Sequence, residues 1–414
     1  MTPVTAMLRV LGISTTYASL QTMSDPARAE RIRFDRHEVA GAFGDIGTDL
    51  PLIVGLIAFC GLDAASVCIM FGVLQIATGL VYGIPMPVQP LKAMAVIMLA
   101  QRLSPGTLAG GGFVIGVTML VLAATRSLDW IARVVPVAVV RGIQLGLGLT
   151  LARLALGDYA GVDGARGYVL AVVAVAALLL LRRQRHVPGP LVVIAIGVVY
   201  AVVYSFDSHP WTTLVGLRLP RLTVPTTTEL ARGALLLALP QLALSLGNSV
   251  LATSQATRDL FPARSVGVRK IGFTYGLMNV VGPVFGGVPV CHGCGGLAGF
   301  HAFGARTAGA PILYGAMYVL LGLVLAPGFA TVVRVFPMPI LGVVLLFEAV
   351  SLMLLVTDIA ADRSQLWIAL LVGAAVIGLP NGYVVGLVAG TLVAHATRRG
   401  WVRLPSAPTD TGPR

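Results

Sequence analysis

The chain has 414 residues, of which 57% are hydrophobic and only 11% are charged, and its mean hydropathy is +0.89. A soluble domain carries roughly 25% charged residues, so this composition excludes a soluble globular protein and predicts an all-α polytopic membrane protein. The net charge of +12 does not indicate a nucleic-acid partner, because the basic residues lie in loops between apolar spans and form no basic face with interleaved aromatics. In such loops they set the topology and contact the headgroups of membrane lipid.

Apolar segments of about 20 residues, the length that a bilayer requires, recur along the chain. In the first half they predict membrane segments at 38–60, 64–82, 89–100, 106–125, 131–154, 165–182 and 188–206. A polar connecting segment follows at 207–228. The second half predicts segments at 229–254, 270–286, after 293 to about 303, 310–327, 332–356, 364–379 and 381–397. We therefore expect about 14 transmembrane segments.

Two landmarks suggest that the halves are repeats. Gly44 recurs as Gly247 (247 − 44 = 203) and Pro87 recurs as Pro289 (289 − 87 = 202), so the two offsets nearly agree. Because each repeat has seven segments, the second must enter the membrane from the opposite side, which gives an inverted repeat. The predicted division is a cytosolic N-terminal tail (1–37), a first repeat (38–206), a connecting segment (207–228), a second repeat (229–397) and a cytosolic C-terminal tail (398–414).

The arginines indicate the orientation. With a cytosolic N-terminus, the arginine-rich stretches 182–185, 258–270 and 398–399 all fall on the cytosolic side, as the positive-inside bias requires, although four arginines fall outside. No apolar core followed by a small-residue cleavage site precedes the first span, so no cleavable signal peptide is expected. We expect a bacterial inner-membrane protein with both termini in the cytosol.

Two polar breaks, 82–92 and 287–297, interrupt the apolar pattern. Pro85 and Pro87 prevent a continuous helix, whereas Pro90 suits a helix start. In the second break, Pro289 precedes a glycine-rich stretch that permits close backbone approach. Each helix that begins here presents unpaired N–H groups and the positive end of its dipole, so two opposed starts would bind an anion. The alternative is a pair of ordinary proline kinks.

Lys92 is one of two lysines in the chain, and the other, Lys270, lies in a loop. A charge within a membrane segment costs at least about 2.5–3.5 kcal/mol on insertion scales, so Lys92 should face a cavity or pair with an acid. Asp45, Asp49 and Glu348 are the candidate partners, and snorkelling to an interface is the alternative. Because carboxylates repel an anion, we expect these three acids to give structural support or to carry protons.

Neutral donors near the two breaks are the better candidates for contact with an anion. Gln241 and Ser245 precede Asn248 by about two turns and one turn of an α-helix. The complete set of predicted substrate-binding residues is Gln89, Lys92, Gln241, Ser245, Asn248, Cys291, His292 and the backbone of Gly293. For Arg306 three roles are open, namely a topology charge, a gate salt bridge and an anion lure.

The Cys291-x-x-Cys294 spacing raises the question of metal or redox chemistry. Thioredoxin-type chemistry would need a βαβ context, and zinc would need two further ligands where only His292 and His301 are close in sequence. No phosphate-binding loop of the G-x-x-x-x-G-K-[ST] kind and no nucleophile–base pair is present. We therefore expect no metal, no cofactor, no catalytic residue and no enzyme activity.

Two stretches carry a resemblance to a known family. Pro87-Val-Gln-Pro-Leu-Lys92 and Pro289-Val-Cys-His-Gly-Cys-Gly-Gly-Leu-Ala298, with Phe303-Gly-Ala-Arg306, resemble the two signature motifs of the molybdate transporter family, which is related to the sulfate permeases. The stretch 41–51 also resembles the first helix of that family, so the resemblance spans nearly the whole chain.

The resemblance implies fourteen segments in two inverted sevens, as in uracil permease, with short strands before the third and tenth helices and substrate between their N-termini. It also implies a core (segments one to four and eight to eleven) and a gate (five to seven and twelve to fourteen), through which relatives often form a homodimer. Only about 17 residues follow Thr397, too few to fold alone, so we expect no cytosolic regulatory domain.

These observations predict a secondary active transporter that moves a tetrahedral oxyanion by alternating movement of core against gate. Molybdate is the first candidate and sulfate the alternative. A nucleobase permease of the same fold is less favoured, because relatives of that kind use acidic residues where this chain has Gln241, Cys291 and His292.

Overall fold

The computed structural model describes residues 32–128, 130, 134–181, 189–204, 215–402 and 404. Most of the predicted N-terminal tail (1–37) and C-terminal tail (398–414), and the start of the connecting segment, lie outside the described residues. The part of the chain that is described is mainly helical.

The first half contains eight helices among the described residues. They are α1 (Arg36–Ala42), α2 (Ile46–Cys60), α3 (Ala64–Tyr82), α4 (Lys92–Gln101), α5 (Pro105–Ala124), α6 (Val137–Tyr159), α7 (Gly164–Leu181) and α8 (Gly189–Tyr204). Local signals fix their ends. The carboxylate of Asp63 accepts from the amide of Ser66 at the start of α3. Gly61 and Gly83, at φ 69° and 68°, terminate α2 and α3 in the left-handed conformation.

The second half also contains eight helices among the described residues. They are α9 (Thr227–Leu260), α10 (Val268–Val281), α11 (Cys294–Ala302), α12 (Gly309–Leu323), α13 (Ala326–Val335), α14 (Met338–Ile359), α15 (Arg363–Gly378) and α16 (Gly382–Arg398). Helix α9 starts with a capping box formed by Thr226 and Glu229. It includes two π-helical segments, Ala234–Ala238 and Ser245–Ala252.

Six of the described helices, α3, α5, α6, α7, α9 and α14, are long and apolar enough to cross a membrane. A seventh is counted if α1 and α2, which meet at a bend of 44°, form one span. Helices α4 and α11 have 10 and 9 residues, well short of the about 20 that a bilayer requires. The protein is therefore a multi-pass integral membrane protein in which two short helices end within the fold.

One predicted span is divided. The apolar pattern predicts a single segment at 332–356, but α13 ends at Val335 and α14 begins at Met338. The break falls at Phe336-Pro337, because a proline disfavours the helical conformation of the residue before it. Helix α13 is thus a short connector that precedes the long helix α14.

Strands β1 (Gln89–Pro90) and β2 (Val290–Cys291) join the two halves. They pair antiparallel, with Gln89 opposite Cys291, and the amide of Leu91 donates to the carbonyl of Pro289 at 2.9 Å. We refer to this pair as the central ribbon. Since α4 follows β1 and α11 follows β2, the two short helices leave the ribbon in opposite directions with their N-termini beside it.

The long helices pack in two groups. In the first, α3 packs on α12 and α5 packs on α10, and in the second, α6 packs on α14 and α15. At the α3–α12 contact, a Cβ on Gly72 would come within 2.4 Å of the carbonyl oxygen of Gly315. Glycine is therefore required there, because the two backbones touch.

Candidate functional site

Two buried amide side chains hold the central ribbon in place. On α3, Gln75 donates from Nε2 to the carbonyl of Val88 at 2.7 Å and accepts from the amide of Val88 at 3.2 Å. On α10, Asn279 donates to the carbonyl of Val290 at 2.6 Å and accepts from its amide at 2.8 Å. Both backbone groups of Val88, just before β1, and of Val290, in β2, are thus satisfied by a neighbouring helix, which fixes where α4 and α11 begin.

The N-terminus of α4 is capped from α9. The side-chain oxygen of Gln241 accepts from the amides of Ala93 and Met94, at 2.9 and 3.3 Å. Its Nε2 donates to the hydroxyl of Ser245 at 3.1 Å, which lies 2.6 Å from the hydroxyl of Tyr275. Gln241 and Ser245 are 3% and 0% exposed, so these two predicted substrate ligands are engaged inside the protein.

Gln89 crosses the ribbon toward α2. Its Nε2 donates to both carboxylate oxygens of Asp45, at 2.8 and 2.6 Å. Its Oε1 lies so close to Gly293 that a Cβ there would be 1.5 Å away. A Cβ on Gly296 would be 2.2 Å from Asp45. The glycines of the second motif therefore make room for the Gln89–Asp45 pair.

His292 links the ribbon to α10. Its Nδ1 lies 3.0 Å from the carbonyl oxygen of Pro87 and its Nε2 lies 2.8 Å from the hydroxyl of Thr274. A carbonyl can only accept, so Nδ1 donates and Nε2 accepts from the threonine. The side chain is fully buried. Both ring nitrogens of this predicted ligand are thus used within the protein.

The N-terminus of α11 differs from that of α4. Gly293 is its N-cap, and no oxygen atom in the described part of the chain accepts from the amides of the three residues that follow, Cys294, Gly295 and Gly296. Cys294 and Gly295 are partly exposed. The thiol of Cys294 donates to Oδ1 of Asn248 at 3.2 Å, and Asn248 is partly exposed too. This end of α11 is open to an acceptor from solution.

Lys92, the first residue of α4, pairs with Glu348 on α14. The two side chains are 22% and 14% exposed, and the hydroxyl of Thr48 on α2 lies 3.5 Å from the second oxygen of Glu348. Within the described part of the chain, Asp45 and Asp49, the other candidate partners, form no ion pair with Lys92. Asp49 is fully buried, and neither of its carboxylate oxygens has a hydrogen-bond partner among the described residues.

Arg306 lies outside this cluster, in the loop between α11 and α12. Its guanidinium donates to the carbonyls of His301 and Ala305, each at 2.7 Å. Its own amide donates to Glu38, a buried carboxylate that also accepts from the amides of Thr307 and Ala310. Glu38, Gln75 and Asn279 were not among the predicted site residues. For Gln75 and Asn279 the available signal was a polar amide within a largely apolar helix, whereas Glu38 stands beside Arg36 and His37 and has no such signal.

The cysteines show no pairing. Cys60, Cys68, Cys291 and Cys294 are free thiols. Among the residues that the structure describes, no group of three or more His, Cys, Asp or Glu side chains is placed to hold a metal ion. The Cys-x-x-Cys motif instead places one residue in β2 and the other at the start of α11.

Residues 37–151 and 233–352 match the family described as the molybdate transporter of the MFS superfamily. The chain is 31% identical to molybdate transporter 2 of Arabidopsis thaliana over 374 residues, which cover 79% of this chain and 80% of the relative. It is also 31% identical to molybdate transporter 1 of that plant over 402 residues, covering 86% and 87%. The chain belongs to the molybdate transporter family.

A molybdate transporter 1 from the alga Chlamydomonas reinhardtii is 28% identical over an alignment of 492 residues, which covers 90% of this chain and 94% of that relative. The two stretches that match the molybdate transporter family run from α1 into α6 and from within α9 into α14. Each stretch contains one strand of the central ribbon and the short helix that follows it. The family resemblance thus includes both halves of the site.

Solved structures show the fold of this molybdate transporter family member. Murine Slc26a9, an anion transporter in the inward-facing state, matches with a TM-score of 0.67 at 12% identity over 96% of this chain and 72% of that chain. The transmembrane domain of the cyanobacterial bicarbonate transporter BicA matches at 0.61 and 15% identity over 88% and 98%. A further SLC26A9 structure matches at 0.65 and 11% identity over 86% of this chain, which spans only 65% of its length.

Proposed function

We propose that this protein is a secondary active transporter of a tetrahedral oxyanion, with molybdate as the first candidate and sulfate as the alternative. The arrangement at the central ribbon carries the proposal. The open N-terminus of α11 offers unpaired amides and the positive end of a helix dipole, and Lys92 supplies a charge at the start of α4. The curated relatives that are named molybdate transporters support the choice of molybdate.

The exposure of each residue suggests its role. Lys92, Asn248, Cys294 and Gly295 are partly exposed, so we assign contact with the anion to the side chains of the first two and the backbone amides of the last two. The other predicted ligands are buried, and the side chains of Gln89, Gln241, Ser245 and His292 are hydrogen-bonded within the protein. We propose that Gln89, Gln241, Ser245, Cys291, His292 and Gly293 form the framework that positions the helix starts.

We propose fourteen segments in two inverted repeats of seven. The first repeat (38–206) comprises α1 with α2 as one segment and then α3 to α8. The second (229–397) comprises α9 to α12 and α14 to α16, with α13 as a connector. The residues that anchor the ribbon support this repeat, because Gln75 and Asn279 differ by 279 − 75 = 204, close to the offsets of 203 and 202.

The repeat divides into two moving parts in this proposal. The core comprises α1 to α5 and α9 to α12 and holds the site, and the gate comprises α6 to α8 and α14 to α16. The two packing groups of long helices support that division. Substrate would cross by alternating movement of core against gate. A homodimer through the gate is the assembly we propose, in a bacterial inner membrane with both termini cytosolic, an orientation that the arginine-rich stretches favour.

Uptake of radiolabelled molybdate into proteoliposomes tests this proposal. We expect saturable uptake, with excess tungstate and sulfate as competitors and uracil as a neutral control that does not compete. Loss of a charged hydrogen bond costs about 1.5–3 kcal/mol, so Lys92→Gln should weaken molybdate binding by roughly ten- to a hundredfold. Lys270→Gln is the matched control, since among the described residues the ammonium of Lys270 contacts the carbonyl of Val81 and the ring of Tyr82.

Two results would overturn the proposal. One is folded wild-type protein that binds neither molybdate, tungstate nor sulfate in a calorimetric titration. The other is uptake of uracil in place of the oxyanions, which would move the protein to the nucleobase class. A preference for sulfate over molybdate in the competition would retain the mechanism and change the physiological substrate.

A further inference from the structure

The pair formed by Lys92 and Glu348 joins the short helix α4, which leaves the central ribbon, to α14 of the second packing group. Lys92 is the first residue of α4, which leaves the central ribbon, and Glu348 is on α14, which packs against α6. The two residues are 256 positions apart in the sequence. Both side chains are partly exposed, at 22% and 14%, so the pair is not sealed inside the packed interior.

No other acid in the described part of the chain takes this position. Asp45 is occupied by Gln89, and Asp49 is fully buried away from any described hydrogen-bond partner. Asp358, at the far end of α14, pairs with Arg141 on α6. Of these four carboxylates, only Glu348 pairs with the ammonium group of Lys92. That ammonium group is the one that contacts the substrate in the proposed function.

A carboxylate and an oxyanion present the same chemistry to Lys92. Each offers a negatively charged oxygen to an ammonium donor, and a charge-assisted hydrogen bond of this kind is among the stronger ones in proteins. An oxyanion that contacts Lys92 directly must therefore compete with the Glu348 carboxylate for the same donor.

We propose that Glu348 is a tethered competitor of the transported oxyanion, held at Lys92 in the substrate-free protein and displaced when the anion binds. This inference rests on the proposed function and adds a way in which substrate binding would be coupled to the movement of core against gate. The displaced bond is also a link between α4 and α14. Anion binding thus removes a bond between the proposed core and the proposed gate, and the substrate itself permits their relative movement.

The proposal makes a distinctive prediction about affinity. Removing a tethered competitor raises the apparent affinity for every anion that binds Lys92. The factor is the same for each anion, because it depends only on the strength of the Lys92–Glu348 pair. A residue that contacts the substrate directly would behave differently, because its removal would weaken binding.

The experiment is calorimetric titration of the purified full-length protein with sodium molybdate and with sodium sulfate. For Glu348→Gln we expect both dissociation constants to fall on the order of tenfold, the lower part of the range measured for coupling between close charge pairs. The two factors should agree within about twofold. Asp358→Asn is the matched control on the same helix, and its dissociation constants should equal those of the wild type.

A double-mutant cycle separates competition from other effects. In a Lys92→Gln background, Glu348→Gln should leave molybdate affinity unchanged, because the competitor acts only through Lys92. If Glu348→Gln does not give folded protein, Glu348→Asp replaces it. Aspartate is one methylene shorter and reaches Lys92 less well, so binding should again be tighter than in the wild type.

The outcomes are distinguishable. Wild-type binding with unchanged or weaker binding in the Glu348 variants overturns the tethered competitor and leaves the proposed function intact. Tighter binding that persists in the Lys92→Gln background also overturns it, because the effect would then not pass through the ion pair. Folded wild-type protein that binds no oxyanion rejects the proposed function, and the competitor with it.

Discussion

Gln75 and Asn279 anchor the two halves of the central ribbon through equivalent pairs of hydrogen bonds. Each lies on a long helix and holds, with one carboxamide, both backbone groups of a residue in or beside the ribbon. A carboxamide carries a donor and an acceptor on one planar group, so it can pair with a backbone N–H and a backbone carbonyl at the same time. Because Gln75 and Asn279 fix the ribbon, they also set where α4 and α11 begin relative to α3 and α10.

Removing one of these amides should loosen the site. Gln75→Leu leaves the buried N–H and carbonyl of Val88 unpaired, and each unpaired group costs about 1–3 kcal/mol. We expect a lower thermal midpoint in detergent and weaker molybdate binding. Gln101→Leu is the control, because Gln101 is exposed at the end of α4. Equal midpoints and equal affinities for the two variants would contradict this role.

Gly293 should tolerate no side chain. A Cβ at this position would lie 1.5 Å from Oε1 of Gln89, so Gly293→Ala must displace Gln89 from Asp45. We expect loss of molybdate uptake together with reduced stability. Gly378→Ala is the matched change, since a Cβ on Gly378 meets nothing within 4 Å. Uptake by Gly293→Ala at the wild-type rate would show that the Gln89–Asp45 pair is dispensable.

The two aspartates of the first span should respond in opposite ways. Asp45→Ala removes the acceptor of the buried Gln89 amide and should destabilise the protein by about 1–3 kcal/mol. Asp49→Asn removes only a charge that is buried and unpaired among the described residues, so stability should be retained or increased. Denaturant or thermal unfolding of both variants tests the contrast, and greater destabilisation by Asp49→Asn would refute it.

The thiol of Cys294 should serve as a hydrogen-bond donor to Asn248 and not as a redox group. Cys294→Ser keeps a donor and should leave molybdate affinity within about twofold, whereas Cys294→Ala loses a bond worth about 0.5–1.5 kcal/mol and should weaken binding roughly two- to tenfold. Titration under reducing and oxidising conditions completes the test. An effect of oxidant on the wild type that is absent in Cys294→Ser would reinstate redox chemistry.

Much of the site can be predicted from sequence because its signals are local. Prolines and glycines in apolar surroundings predict the two breaks, and a lysine in such surroundings must find an anion or a cavity. The offset between the halves predicts that the breaks are related. The sequence also limits the partner of Lys92 to three acids. Choosing Glu348 among them requires the packing of α14, which is a long-range contact without a local signature.

The roles of the α9 residues could not be predicted, and the reason is geometric. Spacing by α-helical turns suggests that Gln241, Ser245 and Asn248 share one face. A π-helical segment begins at Ser245, so the positions beyond it turn by a different angle. Gln241 and Ser245 consequently point into the protein, while Asn248 is directed to Cys294. The hydrogen-bond partners of His292 could not be predicted from the sequence either, because Pro87 and Thr274 come from two distant segments.

The length of α9 has a consequence for hydration. Its 34 residues would extend about 51 Å as an α-helix, against a hydrocarbon layer of about 30 Å. Asn248 lies 248 − 227 = 21 residues from the start of α9, and the helix continues for twelve more, so Asn248 lies well inside this helix and not at either of its ends. In the proposed function, an oxyanion bound beside Asn248 would give up part of its hydration shell. The backbone amides of α11 and the ammonium of Lys92 would then replace those water molecules.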